Sequence, residues 1–210
     1  MKKKNLINWL CLSGIVSIVF YLLHDIIGAK YYPNYDWLSQ AVSDLTAKDA
    51  PSFIIANGYV TIYGIFNCLC CALISILIKN ENSKVLKIGV YTFSIMNFIS
   101  AVGYALFPLS SAGFDGSIQS IIHVYIITTL VVLLSIISLT LIAVGSLRGK
   151  DKHKYLGTFA ILALVLMFVG AVGSGIVPKE YFGVVERFST YSAVVFTGIL
   201  GLYGFKKNYW

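Results

Sequence analysis

Residues 118–144 read IQSIIHVYIITTLVVLLSIISLTLIAV, 27 consecutive positions without an Asp, Glu, Lys or Arg. At 1.5 Å per residue a helix of that length is about 40 Å long, more than the ~30 Å hydrocarbon layer of a bilayer. Such a run reads as a transmembrane helix. Five more stretches of similar length and polarity flank it: residues 6–28, 53–78 and 88–107 before it, and 155–177 and 181–205 after it. The last contains Glu186 and Arg187, but it enters just after Pro178 and is uncharged from Tyr191 to Phe205, a favourable helix start followed by an apolar body. Composition agrees with this reading. The 210 residues are 58% hydrophobic and only 12% charged, against about 45–50% and about 25% in an average soluble domain. Too little polar surface remains to coat a water-facing globule, so lipid must cover the exterior. A soluble enzyme, a disordered tail and a disulfide-stapled secreted module are excluded. The expected fold is all-α, a polytopic membrane bundle of six transmembrane helices forming one domain over residues 1–210.

The basic residues predict the orientation, because Lys and Arg accumulate in cytoplasmic loops. Lys2, Lys3, Lys4, Lys79, Lys84, Lys87, Arg148, Lys150, Lys152, Lys154, Lys206 and Lys207, twelve of the sixteen, fall on one side of the alternating spans. Both termini are therefore expected in the cytoplasm, with the protein in the cell membrane. The net charge of +7 then reflects attraction of these flanks to anionic lipid. Membrane lipid is the expected partner, and a nucleic-acid partner would need a soluble basic face. The apolar run after the first lysines is longer than a signal-peptide core and lacks an A-x-A-like cleavage site, so it reads as a retained helix. Cys11, Cys68, Cys70 and Cys71 all fall within spans; apolar packing suits them better than a disulfide framework or a soft-metal site.

Acidic residues show the opposite bias: Asp25, Asp36, Asp44, Asp49, Asp115, Glu180 and Glu186 lie on the outer side, and only Glu81 and Asp151 on the inner. Three ionisable groups share one shallow level. His24 lies four residues from the outer end of its span, and His123 and Glu186 five residues into theirs, or roughly 6–8 Å deep. Ionisable side chains at such depth face a cavity or a partner. His24 and Asp25 lie alongside Ser13, Gly14 and Ser17 on a small-residue face of the kind that contacts other helices. Arg187 is about 100° around its helix from Glu186. Deeper, Asn67 and Asn97 lie near the midplane of adjacent helices and predict an interhelical amide hydrogen bond. The connection over residues 29–52 is the longest. In it Leu38, Ala41, Val42 and Leu45 recur at helical spacing, predicting a short amphipathic helix over about 37–45, lying flat with Tyr31, Tyr32, Tyr35 and Trp37 at headgroup level. Such a segment is either a solvated face or a lid lowering Ser43 and Asp44 over His24 and His123.

The combination of Tyr32-Pro33-Asn34-Tyr35-Asp36, Gln40-Ala41-Val42-Ser43-Asp44-Leu45, Phe107-Pro108 with Asp115 and His123 opening the fourth span, and Val185-Glu186-Arg187 in the sixth resembles the bacterial and archaeal membrane proteins grouped as domain of unknown function 998. The resemblance covers nearly the whole chain and implies six helices with no established activity. Two departures are visible: Leu109-Ser110-Ser111 replaces a more acidic, Pro-rich turn, and His24-Asp25 is not a general feature of the group. Ser43-Asp44 in the first outer loop is also shared with six-helix proteins linked to lipid-anchor remodelling.

Three functions follow from this pattern. The first is a non-catalytic sensor or assembly protein whose outer polar cluster is structural. The second is an outer-leaflet lipid-directed hydrolase or transferase, with His24, His123, Glu186 and Asp44 as catalytic candidates and Arg187, Ser43 and Asp25 as substrate-binding ones. In that case His24, His123 and Glu186 could hold Zn²⁺ with an open water position or act as acid and base, and Arg187 could clamp a headgroup anion. Zn²⁺ suits the residue types, but no motif requires it. The third is a small transporter, disfavoured by the nearly uncharged inner two thirds and the lack of a repeat between the halves. The riskiest expectation is that His24, His123 and Glu186 converge on one pocket with Asp44 and Arg187 at its rim.

Overall fold

Why the chain breaks into helices where it does is visible at their ends. The computed structural model describes residues 4–148 and 153–206, and among these every regular element is helical. Six helices are long and apolar enough to cross a membrane: α1 (Leu6–Lys30), α2 (Phe53–Leu77), α3 (Lys84–Leu106), α4 (Ile118–Arg148), α5 (Lys154–Gly173) and α6 (Lys179–Lys206). In α1 Asn5 and Asn8 cap each other reciprocally, satisfying donors that the first turn leaves open. The Ser83 side chain accepts from the Leu86 amide and starts α3, four residues before the hydropathy alone would place it. Ser117 does the same for α4 through the Ser120 amide. The fifth span stops at Gly173 rather than at 177; residues 174–177 form turns that lead into Pro178. Of the lysines that predict orientation, Lys2, Lys3, Lys150, Lys152 and Lys207 lie outside the described residues.

The six helices form a ring in chain order. Each packs on the next, α6 closes back on α1, and α2 also touches α6. Glycines set the closeness of this packing. A Cβ at Gly89 of α3 would stand 2.7 Å from the Ile142 amide nitrogen of α4, and one at Gly201 of α6 would stand 2.5 Å from the Cys11 carbonyl oxygen of α1. Without water to drive association, such backbone approach supplies the dispersion contacts that hold helices together in lipid. The Asn67 amide donates to Asn97 Oδ1 at 2.8 Å, the expected pairing of α2 with α3. The four cysteines are free thiols, and Cys11, Cys70 and Cys71 are buried in the largest apolar cluster, which also holds Ile74, Phe93, Leu139 and Phe196.

Residues 31–52 fold back across one end of the ring, here called the capped end. The helix expected over 37–45 is shorter than its spacing predicts: only Val42–Thr46 is helical, as a 3-10 turn. Competition for its carbonyls is the reason. The Trp37 and Gln40 oxygens accept from Arg187, the Leu38 oxygen from the Val184 amide, and the Gln40 and Ala41 oxygens from the Tyr35 hydroxyl. Acceptors committed to α6 and Tyr35 are no longer available to a regular α-helical ladder.

Candidate site at the capped end

Asp25 lies in the last two turns of α1, and Arg187 lies early in α6, so the α1–α6 contact brings them to one level. They form a bidentate ion pair, with Arg187 Nε donating to Asp25 Oδ2 at 2.9 Å and Nη2 to Oδ1 at 2.8 Å. Their side chains are 2% and 1% exposed. Arg187 Nη1 also donates to the carbonyls of Trp37, Gln40 and Gly183, at 3.2, 3.0 and 2.9 Å. Nη2 reaches the Tyr35 hydroxyl at 2.8 Å. With five N–H donors and a fixed planar fork, the guanidinium is fully engaged by protein acceptors. Asp25 Oδ2 further accepts from the Tyr191 hydroxyl and, at 3.3 Å, from the Trp37 indole. The indole ring faces the guanidinium carbon at 4.5 Å, within cation–π range.

Two neighbours complete this clasp. A Cβ at Gly183 would collide with the Gln40 carbonyl oxygen and stand 2.8 Å from that of Trp37, so only glycine lets the cap lie directly on α6. Glu186 Oε2 accepts from the Val42 amide at 3.3 Å and Oε1 from the Thr190 hydroxyl at 3.1 Å. Adjacent residues thus hold the cap from two sides, Arg187 by its carbonyls and Glu186 by an amide.

Asp44 and Ser43 lie on the 3-10 turn and line a cleft of about 490 Å³, whose opposite wall is the connection between α3 and α4. Asp44 Oδ1 accepts from the Gly113 amide at 2.8 Å and Oδ2 from the Ala41 amide at 3.1 Å. The first bond ties the two connections together; Gly113, at φ 79°, adopts the left-handed conformation that glycine tolerates best. Burial pushes the Asp44 carboxyl above the ordinary aspartate range, while the two amides and the charge of Arg187 pull it back.

The two histidines take separate surroundings. His24 is 2% exposed, packs edge-on against Tyr21 with centroids 5.4 Å apart, and neither ring nitrogen meets a hydrogen-bond partner among the described residues. His123 lies in a widened π-helical stretch of α4, Ile122–Thr128, with Nδ1 2.7 Å from the Phe107 oxygen and its ring against Tyr104, 4.7 Å between centroids. The carbonyl assigns Nδ1 as the protonated nitrogen. Among the described residues no three His, Cys, Asp or Glu side chains gather in a way that could hold a metal ion. The structure brings together Asp25 with Arg187, and Ser43 with Asp44 at the cleft; His24 packs on Tyr21, His123 bonds the Phe107 carbonyl, and Glu186 bonds the Val42 amide and the Thr190 hydroxyl. Tyr35, Trp37, Gly183 and Tyr191 were not singled out as site residues by the sequence. Tyr191 alone carried a usable signal, lying four residues and one helical turn from Arg187.

A ring of six apolar helices of spanning length, closed at one end by a clasped loop, defines a polytopic membrane helix bundle. The chain belongs to the family described as "Protein of unknown function (DUF998)", whose model matches residues 15–203. No curated protein and no solved structure matches it.

Proposed function

We propose that this protein is a non-catalytic sensor or assembly component of the cell membrane, folded as one unit, with both termini cytoplasmic and the capped end outside. The Arg187 hydrogen bonds carry this reading. A guanidinium whose donors all go to Asp25, Tyr35 and backbone carbonyls is built to hold the cap in place, whereas a headgroup clamp needs donors directed at its ligand. The cap in turn presents a preformed cleft. A lipid-directed hydrolase or transferase is the second reading, favoured by Ser43 and Asp44 sharing that cleft.

Two measurements test the proposal. Lys48 is exposed on the cap, so Lys48→Cys is expected to react with a membrane-impermeant maleimide in intact cells, while Asn82→Cys, between α2 and α3, reacts only after permeabilisation; the reverse pattern overturns the orientation. Detergent-purified protein is expected to lack stoichiometric zinc whether or not it carries His123→Ala. One zinc per chain, lost in His123→Ala, would instead support the enzyme.

A further inference from the structure

Asp44 presents an electrostatic problem that the fold leaves unresolved. Its side chain is buried, with the residue 5% exposed, yet no Lys, Arg or His lies within ion-pair distance among the described residues. The charged groups that act on it are Arg187, already paired with Asp25, and Asp49, of its own sign; Tyr35 lies within reach of the same field. A buried carboxylate without a cation is costly to ionise, and a cation that reaches it restores the charged form. Each Asp44 oxygen accepts one backbone amide, which leaves acceptor capacity on both.

The cleft beside it has a matching composition. Its lining residues include the aromatic Tyr32, Phe114 and Phe182 and the polar Ser43 and Gln40, with no Lys, Arg or His among them. Aromatic faces and a carboxylate attract a cation that an anion-binding site would repel. The volume of about 490 Å³ is within the usual range for small-ligand sites, roughly 300–1,000 Å³.

We propose that this cleft binds an organic ammonium group, with the cation on Asp44 and its apolar remainder against Phe114 and Phe182. The ammonium can come from a free alkylamine or from the amine headgroup of a phospholipid. In the second case the phosphate stays outside, because nothing basic lines the cleft to receive it. The inference deepens the reading above by naming the ligand class of the clasped cap's cleft. Ionised Asp44 is the binding form, so affinity rises with pH as that carboxyl ionises and is lost in acid, where Asp44 is protonated and the amine keeps its charge.

Isothermal titration of the full chain in neutral detergent with hexylammonium, hexanol and hexanoate tests it. Hexylammonium alone should bind, more tightly at pH 8 than at pH 4. Asp44→Asn should weaken it at least ~10-fold, and Phe114→Leu, which keeps bulk but removes an exposed ring, about two- to fivefold. Thermal unfolding identifies whether Asp44→Asn remains folded, and Phe114→Leu serves if it does not. In nanodiscs, competition of hexylammonium by phosphatidylethanolamine but not by phosphatidylglycerol identifies a lipid headgroup as occupant; competition by neither identifies a free amine. Equal binding of hexanol or hexanoate, no binding of hexylammonium, or unchanged binding in folded Asp44→Asn overturns the inference. If this happens while the cap remains protected from hydrogen exchange, the structural reading stands and only the ligand falls.

Discussion

Replacing Arg187 with Met keeps an unbranched, largely apolar stem, two atoms shorter, and removes the charge and donors. Asp25 would then be a buried carboxylate with only the Tyr191 hydroxyl and Trp37 indole to stabilise it, and the Trp37 and Gln40 carbonyls would lose their α6 donor. Removing one partner of a buried ion pair typically costs ~3–5 kcal/mol, because the other charge stays behind. The freed carbonyls can turn to water at the membrane surface, so the ion-pair loss dominates. Replacing both partners removes the stranded charge, so Asp25→Asn with Arg187→Met is expected to recover much of that loss while remaining below wild type. Equilibrium unfolding in mixed micelles, run as a double-mutant cycle, measures the coupling. Arg187→Met within ~0.5 kcal/mol of wild type, or strictly additive effects, would refute the claim that the pair holds the capped end together.

Further outcomes follow from the same contacts. Gly183→Ala places a methyl group against the Gln40 carbonyl and should destabilise by ~1–3 kcal/mol through overpacking, with faster amide exchange confined largely to residues 37–46. Asn97→Leu should cost about 0.6–1.7 kcal/mol in the same unfolding assay, whereas Asn67→Leu with Asn97→Leu should cost less than the two single changes combined, since no amide is left without its partner. Stability should also carry an Asp44 signature with pH. Its folded pKa is raised, so between the unfolded value, near 3.9, and the folded one the native state binds more protons. That contribution is fully present below the unfolded value and is lost as pH rises through the folded value. Asp44→Asn should flatten this part of the stability–pH curve; an unchanged slope would show that another group produces it.

The spans were legible because length without charge leaves few alternatives in 210 residues. Asn67 with Asn97 was legible too, since neighbouring helices and equal depth nearly determine a contact. Depth placed His24 and His123 at one level but carries no information about azimuth or helix order, so it could not name their neighbours, Tyr21 for His24 and Tyr104 with the Phe107 carbonyl for His123. Asp25 was placed on a helix-contact face by its small-residue neighbours, but its partner could not be found without knowing that α6 returns to α1. The cap resisted for a different reason. Its hydrophobic spacing is helical, yet its conformation is set by which distant donors take its carbonyls, and local periodicity does not encode the Arg187 guanidinium or the Val184 amide.

Amide hydrogen exchange over Ala41–Thr46 and at Val184 reports on the clasp itself. In wild-type protein these amides should exchange about as slowly as the adjoining ends of α1 and α6. In Arg187→Met the cap amides should exchange much faster while α2 and α3 stay protected. Fast exchange of the cap in wild type, or equal protection in Arg187→Met, would contradict the assignment of Arg187 and Asp25 as the element that holds the cap on the bundle.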